Sequence, residues 1–115
     1  MTVKEFYDQI NGSYDEFLGR VGTEERAKKY IRMFTMDPTF SELNSSIDAN
    51  DIPTAFRAIH TLKGLSANLA LTDLYNASVT LTEILRHYNG EDYTEALAAV
   101  REKYNNIVDA IASLE

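Results

Sequence analysis

Residues 51–73 read DIPTAFRAIHTLKGLSANLALTD. Wound at about 100° per residue, this stretch gathers Ile52, Ala55, Phe56, Ile59, Leu62, Ser66 and Leu69 on one side, the mark of a helix with a core-facing stripe. Asp51 suits the N-cap and Pro53 the first turn, and the helix is expected to run to about Leu69. His60 falls off the stripe, on the solvent side. Gly64 and Ala67 follow it, one and nearly two turns later, at almost the same angle. The imidazole is therefore flanked along its own face by two of the smallest side chains. Glycine inside a helix is worse than alanine by about 1 kcal/mol. Its use here fits a face that something bulky must approach closely.

Outward from this segment the pattern stays helical. No alternating run bounded by turn signals suggests a strand, and the chain holds only five glycines and two prolines. Upstream, a helix is expected from Thr2 to Ile10, with Thr2 and Glu5 spaced as a capping box. Asn11-Gly12-Ser13 breaks it, and a short piece from Tyr14 to Val21 ends at Gly22. Thr23 caps a helix through Met36, with Ala27, Tyr30, Ile31, Met33 and Phe34 expected inward. Asp37-Pro38 opens the next, whose inward set is Phe40, Leu43 and Ile47. Downstream, a helix is predicted from Thr72 to Tyr88, stopped by Asn89-Gly90, with His87 as a structural cation near its C-terminus. The last helix begins near Asp92 and carries Tyr93, Leu97, Val100, Tyr104, Ile107, Val108 and Ile111. Amphipathic helices joined by short polar loops pack as an antiparallel bundle. The expected fold is all-α: one domain over residues 1–115, a four-helix bundle with one or two additional short N-terminal helices.

Charge and composition narrow the chemistry. The formal charge of −7 argues against nucleic acid, whose phosphates need a basic surface, and against anionic membrane surfaces. There is no cysteine, which excludes disulfides and thiolate chemistry. The N-terminus MTVKEFYDQI lacks the apolar run of a signal peptide, so a cytoplasmic protein is expected. A chain that starts with Met and carries no linker-like tail is expected to be free-standing, and the bundle is expected to be a monomer.

Against that acidic background, nothing acidic lies between Asp51 and Asp73, and the formal charges there are Arg57 and Lys63. Each stands three positions from His60, about one turn to either side. An exposed imidazole in a local positive field favours an anion. Imidazole is largely neutral near pH 7, leaving a ring nitrogen with a free lone pair to accept a phosphoryl group. Phosphoryl transfer needs positioning and charge neutralisation more than covalent help, and Lys63 supplies part of the neutralisation. No acid or hydroxyl cluster suited to magnesium and no phosphate-cradling glycine loop is visible.

His60-Thr61-Leu62-Lys63-Gly64, followed by Ser66 and Leu69, resembles the H-x-L-K-G signature of histidine-containing phosphotransfer domains. Leu74 and Leu81 through Glu83 are similar to the next helix of that family. The resemblance implies a helical bundle that relays phosphate between receiver-domain aspartates in two-component signalling. It implies that the Nε2 nitrogen of His60 is the phosphoacceptor, that Lys63 balances phosphoryl charge, and that Gly64 leaves room for the partner. Arg57, Ala67 and Asn68 are read as partner contacts. The implied partners are response-regulator receiver domains and a sensor histidine kinase. Magnesium is expected in the receiver, with no cofactor bound by this chain. Two positions depart from the family pattern: Leu65 is bulkier than the residue usual after the glycine, and Ala70 replaces a second glycine common at the helix end. Two rival readings share the same residues, a non-catalytic helical adaptor and a substrate-histidine domain phosphorylated by a kinase in trans.

Overall fold

The helices of the computed structural model, which describes residues 1–115, follow from their caps and apolar stripes. They are α1 (Val3–Gln9), α2 (Tyr14–Val21), α3 (Glu24–Phe34), α4 (Thr39–Asp48), α5 (Ile52–Asn68), α6 (Thr72–Leu85) and α7 (Thr94–Ile111). Thr2 and Glu5 form the full capping box, and Ser13, Thr23 and Asp51 each accept an amide N–H at the start of their helices. Asp92 accepts the Thr94 amide at 2.9 Å, so the helix expected from Asp92 starts two residues later, with Asp92 as its side-chain anchor.

α5 packs between α4 and α6, and α6 packs on α7. The bundle closes where α7 returns to the first helices: Phe40 stacks on Tyr104 at 3.7 Å, Phe34 meets the same ring at 5.4 Å, and Arg101 donates to Asn44. Ala55, Ile59 and Leu62 of α5 are buried, as are Leu43, Leu74, Leu81, Val100 and Ile107 from its neighbours, in one continuous apolar core.

Three helices end in the same turn. Asn11, Asn50 and Ala70 adopt the left-handed conformation, with φ of 53°, 54° and 55°. In each case the next amide reaches back to a carbonyl of the last helical turn: Gly12 to Tyr7, Asp51 to Ser46, and Leu71 to Ser66. Asparagine tolerates this conformation, whereas alanine strains in it by about 1–2 kcal/mol. At Ala70, where the related family often has glycine, the turn is made with alanine all the same.

The α1–α2 unit secures that end. The last carbonyls of any helix lack intrahelical donors. Here Tyr7 Oη donates to the Leu69 carbonyl at 2.6 Å, Arg20 donates to the carbonyls of Ala67 and Asn68 at 2.7 and 2.9 Å, and the Ser13 amide donates to the Ala70 carbonyl. Burial raises the Tyr7 phenol well above its ordinary pKa, so it remains a neutral donor.

Two expectations need correcting. α6 ends at Leu85 rather than Tyr88: Arg86 is extended and His87 adopts φ 55°, so His87 lies beyond the helix. The apolar spacing continued through Tyr88 because that ring still packs on the core and on Tyr93, at 5.9 Å, from the loop. In α3, Ala27, Ile31 and Phe34 form the buried seam, but Tyr30 and Met33 are exposed. They form a second seam beside the first, facing a groove against α5.

Gly12 sits where Tyr7 and Ala70 converge: a Cβ there would lie 2.6 Å from the Tyr7 ring and 2.7 Å from the Ala70 carbonyl oxygen. Gly12→Ala should therefore destabilise the fold by about 1–3 kcal/mol, measured as a lower denaturation midpoint. The capping acids set the pH response. Hydrogen bonds from the Thr2 backbone hold Glu5 below its ordinary 4.5, and bonds from Thr54, side chain then backbone, hold Asp51 below 3.8. Backbone hydrogen bonding to Thr94 holds Asp92 down in the same way. Groups with lowered pKa add stability above their unfolded values and lose it as pH falls through the folded ones. The melting temperature should hold from neutrality to about pH 5 and decline below about pH 4. Asp51→Asn, which still caps, should shallow that decline.

Candidate functional site

α5 owes its orientation to the core. With Ala55, Ala58, Ile59, Leu62 and Ser66 buried, the opposite side must face solvent, and His60 is exposed there. Ser66 stays inside by bonding its hydroxyl to the carbonyls of Leu62 and Lys63, at 2.7 and 3.0 Å. The helix is pinned at its start by Asp51, whose carboxylate accepts both the Thr54 amide and the Thr54 hydroxyl.

The side chains singled out from the sequence divide into two groups. His60, Lys63 and Gly64 lie within about one turn of each other on the exposed side. Lys63 is half-buried beside the imidazole and pairs with no acid. A Cβ built on Gly64 meets nothing within 4 Å, so close helix packing does not account for this glycine. The space above it is open.

The others point elsewhere. The Arg57 guanidinium turns back towards the helix start and donates to Thr54 Oγ1 at 3.1 Å. Ala67 and Asn68 lie about 10–12 Å further along the helix axis than His60. Their carbonyls are held by Arg20. Ala67 borders a hollow shared with Arg20 and Tyr75, and Asn68 borders the groove shared with Tyr30 and Met33. Leu65, the residue that departs from the family pattern, lines that same groove.

The flank contributed by α3 could not be inferred from α5. Tyr30 and Met33 on α3 and Met36 in the turn after it are exposed, Met36 by 75%. The cations are also unevenly placed. Lys4, Arg20, Arg86 and Lys103 are ion-paired with acids. Arg26, Lys28, Lys29, Arg32, Arg57, Lys63 and Arg101 are not, and six of these seven fall between residues 26 and 63. The available signal was a run of four cations within α3 beside apolar residues at spacing three. No group of three or more His, Cys, Asp or Glu side chains is arranged to hold a metal ion. No helix is long and apolar enough to cross a membrane.

The bundle thus presents an exposed imidazole within about one turn of a lysine that pairs with no acid and of an open glycine. The model of the Hpt domain family matches residues 33–110, about two thirds of the chain, and the protein belongs to that family. No curated protein and no solved structure matches it. Hpt domains serve histidine phosphotransfer in two-component systems, as phosphocarriers rather than kinases, and they interact with receiver domains and kinases. The matched segment contains all of α4, α5 and α6 and nearly all of α7; α1 and α2 lie outside it.

Because the Gly64 face is open and the helix continuous, Gly64→Ala should stabilise the isolated domain by up to about 1 kcal/mol in chemical denaturation. A loss of stability would mean that the glycine serves packing after all.

Proposed function

We propose that this protein is a phosphorelay intermediate in which His60 accepts a phosphoryl group from the phosphoaspartate of one receiver domain and donates it to the aspartate of another. The observation that carries this reading is the exposed, unpaired imidazole between Lys63 and the open space at Gly64. In the forward step the Nε2 lone pair attacks phosphorus in line, the P–N bond forms, and the aspartate P–O bond breaks. The aspartate leaves as a carboxylate, and Nδ1 keeps its hydrogen through the step. The reverse step on a second receiver regenerates free His60. Lys63 neutralises charge on the phosphoryl oxygens as they pass. Magnesium belongs to the receiver, which makes the complete active site a composite of two proteins. A sensor histidine kinase with its own receiver stands upstream.

The surface around His60 suits such a partner. Receiver active sites are acidic, and Lys63, which pairs with no acid and stands one turn from His60, opposes them with complementary charge. Tyr30, Met33 and Leu65 offer an apolar border beside the imidazole's helix.

Incubation with a radiolabelled phospho-receiver and magnesium should give a labelled protein whose label is lost in acid and kept in base. His60→Gln should take no label, and equal labelling of that variant would sink the proposal. Lys63→Ala should slow transfer about tenfold with an unchanged helical signal, the scale of one lost charge contact to the transition state. Gly64→Ala, although more stable, should also transfer more slowly, because its methyl projects into the approach path.

A further inference from the structure

The reactive lone pair of an imidazole lies in the plane of the ring, so the ring's orientation decides whether in-line attack is possible. A solvent-exposed histidine would ordinarily sample several rotamers. A hydrogen bond to the second ring nitrogen commonly fixes such a ring. Here the side-chain hydrogen bonds around it run from Arg57 to Thr54 and from Thr61 to the Arg57 carbonyl, and the His60 ring takes part in neither. Its aromatic contact is with Phe56, one turn earlier. The two rings meet edge to face, with centroids 6.0 Å apart and planes at 77°. Side chains on a helix lean towards its N-terminus, which tilts His60 onto Phe56.

Phe56 is itself held. It falls on the edge of the apolar stripe and is half-buried rather than part of the core. It lines a hollow with Ile52, Leu85 and Tyr88. The Arg86 guanidinium lies over its ring, 5.3 Å from the centroid, and is anchored by Glu83 at 3.3 Å. This placement follows from the early end of α6. Arg86 leaves the helix in an extended conformation, and its side chain crosses to α5.

We propose that Phe56 is a positioning residue that sets the plane of the His60 imidazole for phosphoryl transfer, with Arg86 clamping the Phe56 ring. The proposal rests on His60 being the phosphoacceptor. If Phe56 served packing alone, its loss would lower stability and leave the maximal transfer rate of the folded protein unchanged.

The test compares Phe56→Leu, Phe56→Tyr and Arg86→Gln with wild type in transfer from a phospho-receiver over a range of receiver concentrations. Phe56→Leu should lower the maximal rate about three- to tenfold, the scale of one aromatic contact, with the KM for the receiver unchanged. Phe56→Tyr keeps the ring and should restore the rate, and Arg86→Gln should show a smaller loss of the same kind. In NMR spectra of the same proteins, the His60 side-chain couplings should report one dominant χ1 rotamer in wild type and averaging in Phe56→Leu. A folded Phe56→Leu with a wild-type maximal rate, or with its loss confined to KM, overturns the proposal. So does a wild-type His60 that already averages over rotamers. A wild type that takes no label refutes the phosphoacceptor reading instead, and the rotamer measurement still decides whether Phe56 fixes the ring.

Discussion

The end of α5 is the constraint on which the rest of this structure depends. A helix that leaves one side to solvent must be held by its other faces and by its ends. At its C-terminus the exposed carbonyls draw donors from two other helices: the Tyr7 hydroxyl and Arg20 guanidinium occupy Leu69, Ala67 and Asn68. These bonds span 47 to 62 positions of sequence, so they tie the N-terminal helices to the centre of the chain. The charge-assisted bonds of Arg20 are stronger than neutral ones, and a cation at a helix C-terminus also meets the negative end of the helix dipole. The strained turn at Ala70 is tolerated because the surrounding bonds leave it little alternative.

Much of this was legible in the sequence. The stripe from Ile52 to Leu69 placed His60 outside, and the capping residues Thr2, Thr23 and Asp51 act as their types suggested. The motif around His60 pointed to the family that the match over residues 33–110 establishes. What was not legible depends on contacts between elements. Periodicity reads one helix at a time, so it assigned Tyr30 and Met33 to the core when they form a second, exposed seam. It carried α6 to Tyr88, because a side chain packed from a loop has the same apolar character as one packed from a helix. Phe56 shows the same limit from the other direction. Its angle is that of a core residue, yet its place at the margin, between Arg86 and His60, depends on where α6 stops.

The site itself combines rigid support with an unfinished surface. Buried alanines at 55 and 58 let neighbouring helices approach α5, while the exposed side carries a glycine with nothing above it. Ordinary folding economy would place alanine or a charged residue there, since either favours a helix more than glycine does. The departure from local preference falls beside His60, which is where departures are expected when a surface is shaped for a partner rather than for the fold.

The separation of charge has a consequence for motion before contact. Fourteen of the 18 acids lie outside residues 26–69, while six of the 11 basic residues lie inside them, so the protein is electrically lopsided as well as acidic. A molecule of this kind carries a dipole moment, and in the field of an acidic neighbour it experiences a torque as well as a force. At distances up to about 10 Å, beyond which salt screens the field, such a torque biases diffusion towards arrivals with the more basic stretch leading. Like-charged acidic proteins would otherwise repel on average. The uneven spread of charge lets an encounter be selective in orientation without changing the net charge of −7.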